Sequence, residues 1–306
     1  MNIYGMSKKG FHVNRPLELY ERTNQFNIKH QASHDDELQY DNSLIRFNGT
    51  FIEYVDKWYS MRGNLLTLVI GPYLLFCFFL MPFSVYAAFY TGEYWFLSLF
   101  PLGLICFLPS LYYFLTDAFT YTHYPIRLNR KNRQVYAFRR DGTIFKAGWD
   151  DLYWTIYNRM GSGHVNISLV GDLNIMGHVL DKDGVTVRES IALPYISAGE
   201  PGYQNQLRFF EFARLYMEKG PGPVLEALKP HVLHILPDLD RKRETWFHGW
   251  QYVTDSLTGS PILQILFQVW FFPQSLCRWL VMRTSKIPQW PQWVEDECAV
   301  APDDPW

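Results

Sequence analysis

Few residues in this chain stand at spacings that chemistry requires. Gly161-Ser162-Gly163-His164 sets a serine next to a histidine, the pair a hydrolytic nucleophile and its base would use. No GxSxG, P-loop or HExxH frames them, and a Gly-Ser-Gly turn ahead of a strand is ordinary loop chemistry. His30 and His34 are four residues apart, the spacing that sets two ligands on one helical face. No glutamate lies between them, however, and helix signals there are poor. His231 and His234 straddle a Pro-bounded loop with no carboxylate or cysteine at ligand spacing. Asp150-Asp151 follow Trp149 and read as turn caps rather than a proton-sharing pair. Asp238, Asp240, Arg241, Lys242 and Arg243 read as a solvated charge run. The expectation is a non-enzyme with no catalytic residue, no metal ligand and no cofactor.

The cysteines agree. Cys77 and Cys106 sit in apolar runs, and Cys277 and Cys298 stand alone without CxxC spacing. Nothing in that spacing suggests a disulfide framework or a zinc knuckle, and a reducing compartment is the simple inference. A net charge of -2 argues against a general nucleic-acid binder, which needs a basic surplus. Mean hydropathy is ordinary at -0.14, so the apolar content is concentrated rather than spread.

It is concentrated in two runs. Leu65 to Tyr90 and Trp95 to Leu115 carry no charged residue, and only Thr91-Gly92-Glu93-Tyr94 separates them. Each run exceeds the roughly 18 apolar residues that span a bilayer as a helix. The expectation is a transmembrane helical hairpin, kinked at Pro72, Pro82, Pro101 and Pro109. With no ionisable group at membrane depth it reads as an anchor rather than a transporter. The N-terminus lacks the apolar core of a cleavable signal. Lys57 and Arg62 precede the first run and Arg127, Arg130, Lys131 and Arg133 follow the second. The positive-inside bias then places both flanks in the cytoplasm and the connecting turn outside.

The remaining chain is polar. Four segments are expected: residues 1–62, the hairpin over 63–118, a β-rich domain with a closing helix over 119–230, and an aromatic, partly amphipathic region over 231–306. Alternation predicts strands at Leu44–Phe47 and Thr50–Val55 around Asn48-Gly49. From Tyr124 the period is two, with strands at 125–129, 134–138, 143–147, 153–157, 164–170, 173–180 and 185–193. Asn205 to Lys219 predicts a helix with Leu207, Phe210, Ala213 or Arg214, and Met217 on one stripe, stopped by Gly220-Pro221. Pro261 to Met282 is apolar but broken by Gln264, Gln268, Pro273, Gln274 and Arg278, and reads as an interfacial or core-packed helix pair. The tail, with Trp290, Trp293, Glu295, Asp296, Glu297, Asp303, Asp304 and Trp306, reads as acidic and flexible. The fold class is α+β: a transmembrane hairpin plus an antiparallel β-rich domain with following helices.

The string from Tyr124 through Pro-Ile-Arg-Leu-Asn-Arg to Val135-Tyr136, the basic Asp141-Gly142 turn and Trp149-Asp150-Asp151-Leu152 resembles a bacterial family of uncharacterised two-span proteins. Members resemble neighbours of type VI secretion toxins, and some serve as immunity proteins. The strand-rich stretch with its closing helix also resembles bacterial pleckstrin-homology-like domains. The resemblance covers roughly residues 60–230 and carries no catalytic residue. It implies an immunity protein anchored as a multi-pass chain in the bacterial inner membrane, which binds and blocks a cognate toxin. With both flanks inside, a cytoplasmic nuclease is the expected partner. The residues expected to meet its basic groove are Trp290, Trp293, Glu295, Asp296 and Glu297, with Asp35, Asp36 and Glu37. The alternatives are an effector-loading adaptor, or a lipid-sensing regulator using the basic stretch Arg127 to Arg140 at headgroups.

Overall fold

A computed structural model describes residues 13–30, 38–40, 43–56, 62–64, 79–98, 117–158, 173–195, 199–228, 242–255 and 261–306, with isolated single positions and pairs between them. In chain order the strands are β1 (Arg15–Pro16), β2 (Leu44–Phe47), β3 (Phe51–Tyr54), β4 (Ile126–Asn129), β5 (Gln134–Phe138), β6 (Ile144–Gly148), β7 (Tyr153–Asn158), β8 (Leu173–Leu180) and β9 (Thr186–Ala192). The helices are α1 (Leu19–Thr23), α2 (Met81–Thr91), α3 (Gly199–Lys219), α4 (Pro221–Ala227), α5 (Trp246–Asp255), α6 (Pro261–Leu266), α7 (Gln268–Thr284) and α8 (Gln292–Glu297). The chain divides into two compact units. One joins Met1–Tyr59, His123–Asp240 and Pro288–Trp306; the other joins Ser60–Thr122 and Arg241–Ile287.

The first unit holds two antiparallel sheets, ordered β1-β9-β8-β7 and β2-β3-β4-β5-β6. Side chains alternate across a strand, so Ile52 and Tyr54 of β3, Ile126 and Leu128 of β4, and Val135 and Ala137 of β5 share one face and one core. Trp154 and Ile156 of β7, Ile175 of β8 and Ile191 of β9 complete that core from the other sheet. Helix α3 closes it with Phe209, Phe210, Ala213, Tyr216 and Met217, all buried. The predicted stripe therefore faces inward, although the helix begins earlier than expected, at Gly199. Phe26 stacks on Phe210 at 4.2 Å, and Trp149 lies 4.7 Å from Trp154.

The turns follow their residues. Asn48 Oδ1 accepts the N–H groups of Thr50 and Phe51, each at 2.9 Å, the local bond that makes asparagine a turn former. Gly142 takes φ 81 in the β5–β6 connection, a left-handed conformation suited to glycine. Strands β2 and β3 pair into the same sheet as β4, with Ile52 opposite Leu128. The stretch before the apolar runs is therefore part of the sheet that follows them. The expected strand at 164–170 lies outside the described residues.

In the second unit α2 starts with Pro82 in its first turn, where the missing N–H costs no helical bond. It ends at Gly92, which takes φ 74, and a 3₁₀ turn at Tyr94–Ser98 follows. Eleven residues of helix reach about 16 Å, half the roughly 30 Å of a bilayer core. Among the described residues no helix is long and apolar enough to cross a membrane. That overturns the expected transmembrane helical hairpin, the multi-pass inner-membrane location and the cytoplasmic placement of its flanks. An uncharged run reports hydropathy and not the continuity of a helix. Much of Leu65 to Leu115 lies outside the described residues.

Buried charge organises the rest of this unit. Arg62 Nη1 donates to Asp117 Oδ1 at 2.5 Å, and the Gly63 N–H donates to Oδ2 at 3.0 Å. Helix α5 packs on α7 through Trp246 Nε1–H to Ser275 Oγ (3.1 Å) and Trp250 Nε1–H to Gln268 Oε1 (2.9 Å). Arg278, fully buried, donates twice to Glu244 at 2.7 Å under the Tyr252 ring.

Candidate functional site

The alternation that sends Ile126 and Leu128 into the core sends Arg127 and Asn129 to the opposite face of the five-stranded sheet. Glu53, Phe51, Tyr136, Phe138 and Lys146 join them there through the β3–β4, β4–β5 and β5–β6 registers. Water would ordinarily cover such a face. Here the segment from Trp290 to Cys298 covers it instead, and we call this segment the strap.

Its contacts pair charge with charge. Arg127, fully buried, donates through Nη2 to Glu53 at 3.0 Å and to Glu295 at 3.3 Å. Its guanidinium lies 4.2 Å from the Phe51 ring centre and 4.9 Å from that of Trp290. Trp290 Nε1–H donates to the other Glu53 oxygen at 2.7 Å. Lys146 Nζ donates to both Glu297 oxygens at 2.8 Å, and the Tyr136 hydroxyl donates to the same carboxylate. Asn129 Nδ2 donates to the Glu297 carbonyl at 2.9 Å and reaches Cys298 Sγ at 3.3 Å. Val294 and Cys298 are buried against Phe51 and Tyr136. Beyond them Asp304 accepts the Gly49 N–H at 2.8 Å.

These contacts set the ionisation. The bonds from Lys146 and Tyr136 hold Glu297 below the usual carboxylate range. Burial and the Glu297 bond push the Tyr136 phenol up. For Arg127, burial works against the charge, but Glu53 and Glu295 outweigh it and raise the guanidinium further. Burial raises the Cys298 thiol, partly opposed by Arg127.

Of the residues predicted to meet a partner, the structure brings Trp290, Trp293, Glu295, Asp296 and Glu297 together on this strap. It is docked rather than flexible, which corrects the expectation for the tail over these residues. Glu295 and Glu297 already serve the chain's own Arg127 and Lys146, and Trp290 is half-buried. Trp293 remains 42% exposed, its ring 6.1 Å from Tyr136 and 5.4 Å from Lys146 Nζ. Asp296 is exposed and accepts from Gln292 at 2.8 Å. Asp303 and Trp306 are exposed as well. Asp35, Asp36 and Glu37 lie outside the described residues, as do His34, His231, His234 and Gly161-Ser162-Gly163-His164.

Sequence reasoning missed Arg127 as an anchor. A flank charge directed at headgroups would be exposed, whereas Arg127 is fully buried. Arg133, likewise, pairs with Asp150 and with Glu218 (2.7 Å), and Arg139 with Glu189 (2.7 Å). A charge at an alternating position beside apolar neighbours, with an acid at a similar position on another strand, was the available signal.

A second cluster was also missed. Glu21 on α1 accepts Arg15 at 2.6 and 2.7 Å and the Glu18 N–H at 2.8 Å. It also lies 3.0 Å from His178 Nε2, while His178 Nδ1 lies 2.7 Å from Ser190 Oγ. Burial opposes charge on Glu21, yet the bonds from Arg15, His178 and Glu18 hold it at about 2. Acid, imidazole and hydroxyl thus follow one another as in a nucleophilic relay. The frame for chemistry is missing, because Ser190 lies within β9 opposite His178. A nucleophile needs a turn or helix start whose N–H groups can converge on an oxyanion. The relay fastens α1 to the four-stranded sheet, aided by Thr155 Oγ1–H to the Glu21 carbonyl at 2.7 Å. Among the described residues no cluster of three or more His, Cys, Asp or Glu could hold a metal.

Residues 103–302 match a family described as a family of unknown function (DUF6708). No curated protein and no solved structure matches the chain.

Proposed function

Since the chain belongs to this family of unknown function, we propose its role from the strap: an immunity-type inhibitor that binds a cognate toxin and blocks it. One observation supports this reading most directly. Trp293, 42% exposed, stands beside Asp296 on the strap, which is tied to the sheet by buried contacts. Tryptophans dominate binding energy where they anchor an interface. Holding them in place before binding reduces the ordering cost of association. The flanking acids favour a basic partner and hasten encounter with it. A nuclease, whose groove binds phosphate, is such a partner.

Co-expression with a toxin encoded beside this gene tests the reading. Rescue of growth and co-purification of the pair are expected. Continued killing with no complex would sink it. Loss of secretion without loss of protection in a deletion strain would favour an effector-loading adaptor instead.

A further inference from the structure

One row of side chains runs across all five strands of the larger sheet. Arg46 of β2 stands opposite Glu53 of β3, and Glu53 opposite Arg127 of β4. Arg127 in turn stands opposite Tyr136 of β5, and Tyr136 opposite Lys146 of β6. Directly opposed residues share a face, so the row is a ladder of three cations, one carboxylate and one phenol. Three cations against one carboxylate leave the ladder at +2 without the strap.

The strap lies on this ladder as a bound peptide lies in a groove. Glu295 meets Arg127, and Glu297 meets Lys146 and Tyr136. Trp290 packs edge-on against Phe138 at 6.0 Å, one side of the ladder. The main chain is recognised as well. Asn129 donates to the Glu297 carbonyl, and Thr50 Oγ1–H donates to the Ala299 carbonyl just beyond the strap at 3.4 Å. Two carboxylates, an indole and peptide carbonyls are the groups the face receives. That is the chemistry of an acidic peptide rather than of a phosphate chain.

Little of the fold depends on this segment. The five strands pair with one another and not with the strap. Among the described residues, none from 288–306 belongs to the main core; Val294 and Cys298 form a separate small cluster with Phe51 and Tyr136. Arg127 holds Glu53 independently of the strap, so lifting the segment strands no buried charge. The ion pairs that part are half-exposed: Glu295 is 40% exposed, and Lys146 and Glu297 are 39% and 35%. Such pairs hold weakly. Helix α8 has six residues, too few to persist without its contacts.

We propose that the ladder is a docking groove for an acidic, tryptophan-bearing segment of a partner protein, and that the strap is its occupant in cis. The matching segment carries an indole, a carboxylate five residues later and a second carboxylate two further on, as Trp290, Glu295 and Glu297 do. Such a segment displaces the strap by competition. A tethered occupant acts at a high effective concentration, so the partner meets only the fraction of chains whose groove is open. None of this depends on what Trp293 meets.

Fluorescence anisotropy of a labelled peptide with the sequence Pro288 to Val300, titrated with the full chain, tests the groove. Wild type should bind it weakly. Glu295→Lys combined with Glu297→Lys in the chain sets like charge against Arg127 and Lys146 and expels the strap, so the peptide should bind at least about tenfold tighter. Adding Lys146→Glu should abolish that gain, and a peptide with both glutamates replaced by lysine should bind none of these chains. Circular dichroism checks the fold. Hydrogen exchange of the wild type is a second measurement that needs no variant: amides of residues 292–298 should exchange at least about tenfold faster than those of β4 and β5, and faster still under excess peptide. Equal binding to wild type and the double variant, a gain indifferent to Lys146→Glu, or strap amides that open only with the whole sheet would each overturn the groove. So would tighter binding of an oligouridylate than of the peptide, since the ladder would then serve a phosphate chain.

Discussion

The guanidinium of Arg127 and the carboxylate of Glu53 meet at 3.0 Å with both side chains shut off from solvent. They sit on the face of the sheet that strand alternation alone would give to water. Removing one partner of such a pair strands the other, at a cost of about 3–5 kcal/mol. Arg127→Met should therefore lower unfolding stability by about that amount in urea titrations. Pairing it with Glu53→Leu should recover most of the loss. The strap should also loosen, so the Cys298 thiol, buried in the wild type, should react faster with a thiol reagent in the single variant.

The acid limb of stability should carry the mark of Glu21. Its folded carboxyl sits at about 2 against an ordinary 4.5. A depressed carboxylate contributes stability above its unfolded value and loses it as pH falls through the folded one. Melting temperature should therefore drop between about pH 4.5 and 2. Glu21→Gln should flatten that part of the profile while lowering stability at neutral pH. An unchanged profile in the variant would show that other carboxylates govern acid unfolding.

Gly63 has no room for a side chain. It takes φ 80, and a Cβ there would lie 2.5 Å from the Arg278 backbone nitrogen. Gly63→Ala combines a disfavoured backbone with a backbone clash, and should cost more than about 1 kcal/mol. Thermal unfolding of the purified variant measures it.

Trp293→Ala should separate binding from folding. The side chain is 42% exposed, so stability should change by no more than about 0.5 kcal/mol. Under the proposed immunity role, affinity for the cognate toxin should fall by a factor of about 30, the equivalent of about 2 kcal/mol at an anchoring residue. Calorimetry of the complex reads the second quantity and a urea titration the first.

Much of the first unit was legible because strands announce themselves by period two. The β4–β5 hairpin follows directly from Ile126-Arg-Leu-Asn129 and Gln134-Val-Tyr-Ala-Phe138, and α3 from its stripe. The strap was not legible. Its acids, read singly, look like solubility, and their partners Arg127 and Lys146 lie about 150 residues away in sequence, where spacing carries no information. The apolar runs misled for a different reason. Composition predicts where a helix is greasy, but the 3₁₀ turn over Tyr94–Ser98, which carries into the second run, is a backbone feature that hydropathy does not count. The relay of Glu21, His178 and Ser190 left no local motif, because the three residues meet only through the β8–β9 register and the docking of α1.

The strap also fixes an order of events. Glu295 and Glu297 close onto Arg127 and Lys146 across more than 150 residues of chain, and Asp304 closes onto Gly49 across 255. Contacts at such separations form late, because the intervening loop must first be gathered. During synthesis the five-stranded sheet is thus complete in its strands long before residues 288–306 exist, with Arg127, Phe51 and Tyr136 uncovered in the interval. A ribosome-stalled chain ending before Trp290 would display that face to every chaperone and sheet edge nearby.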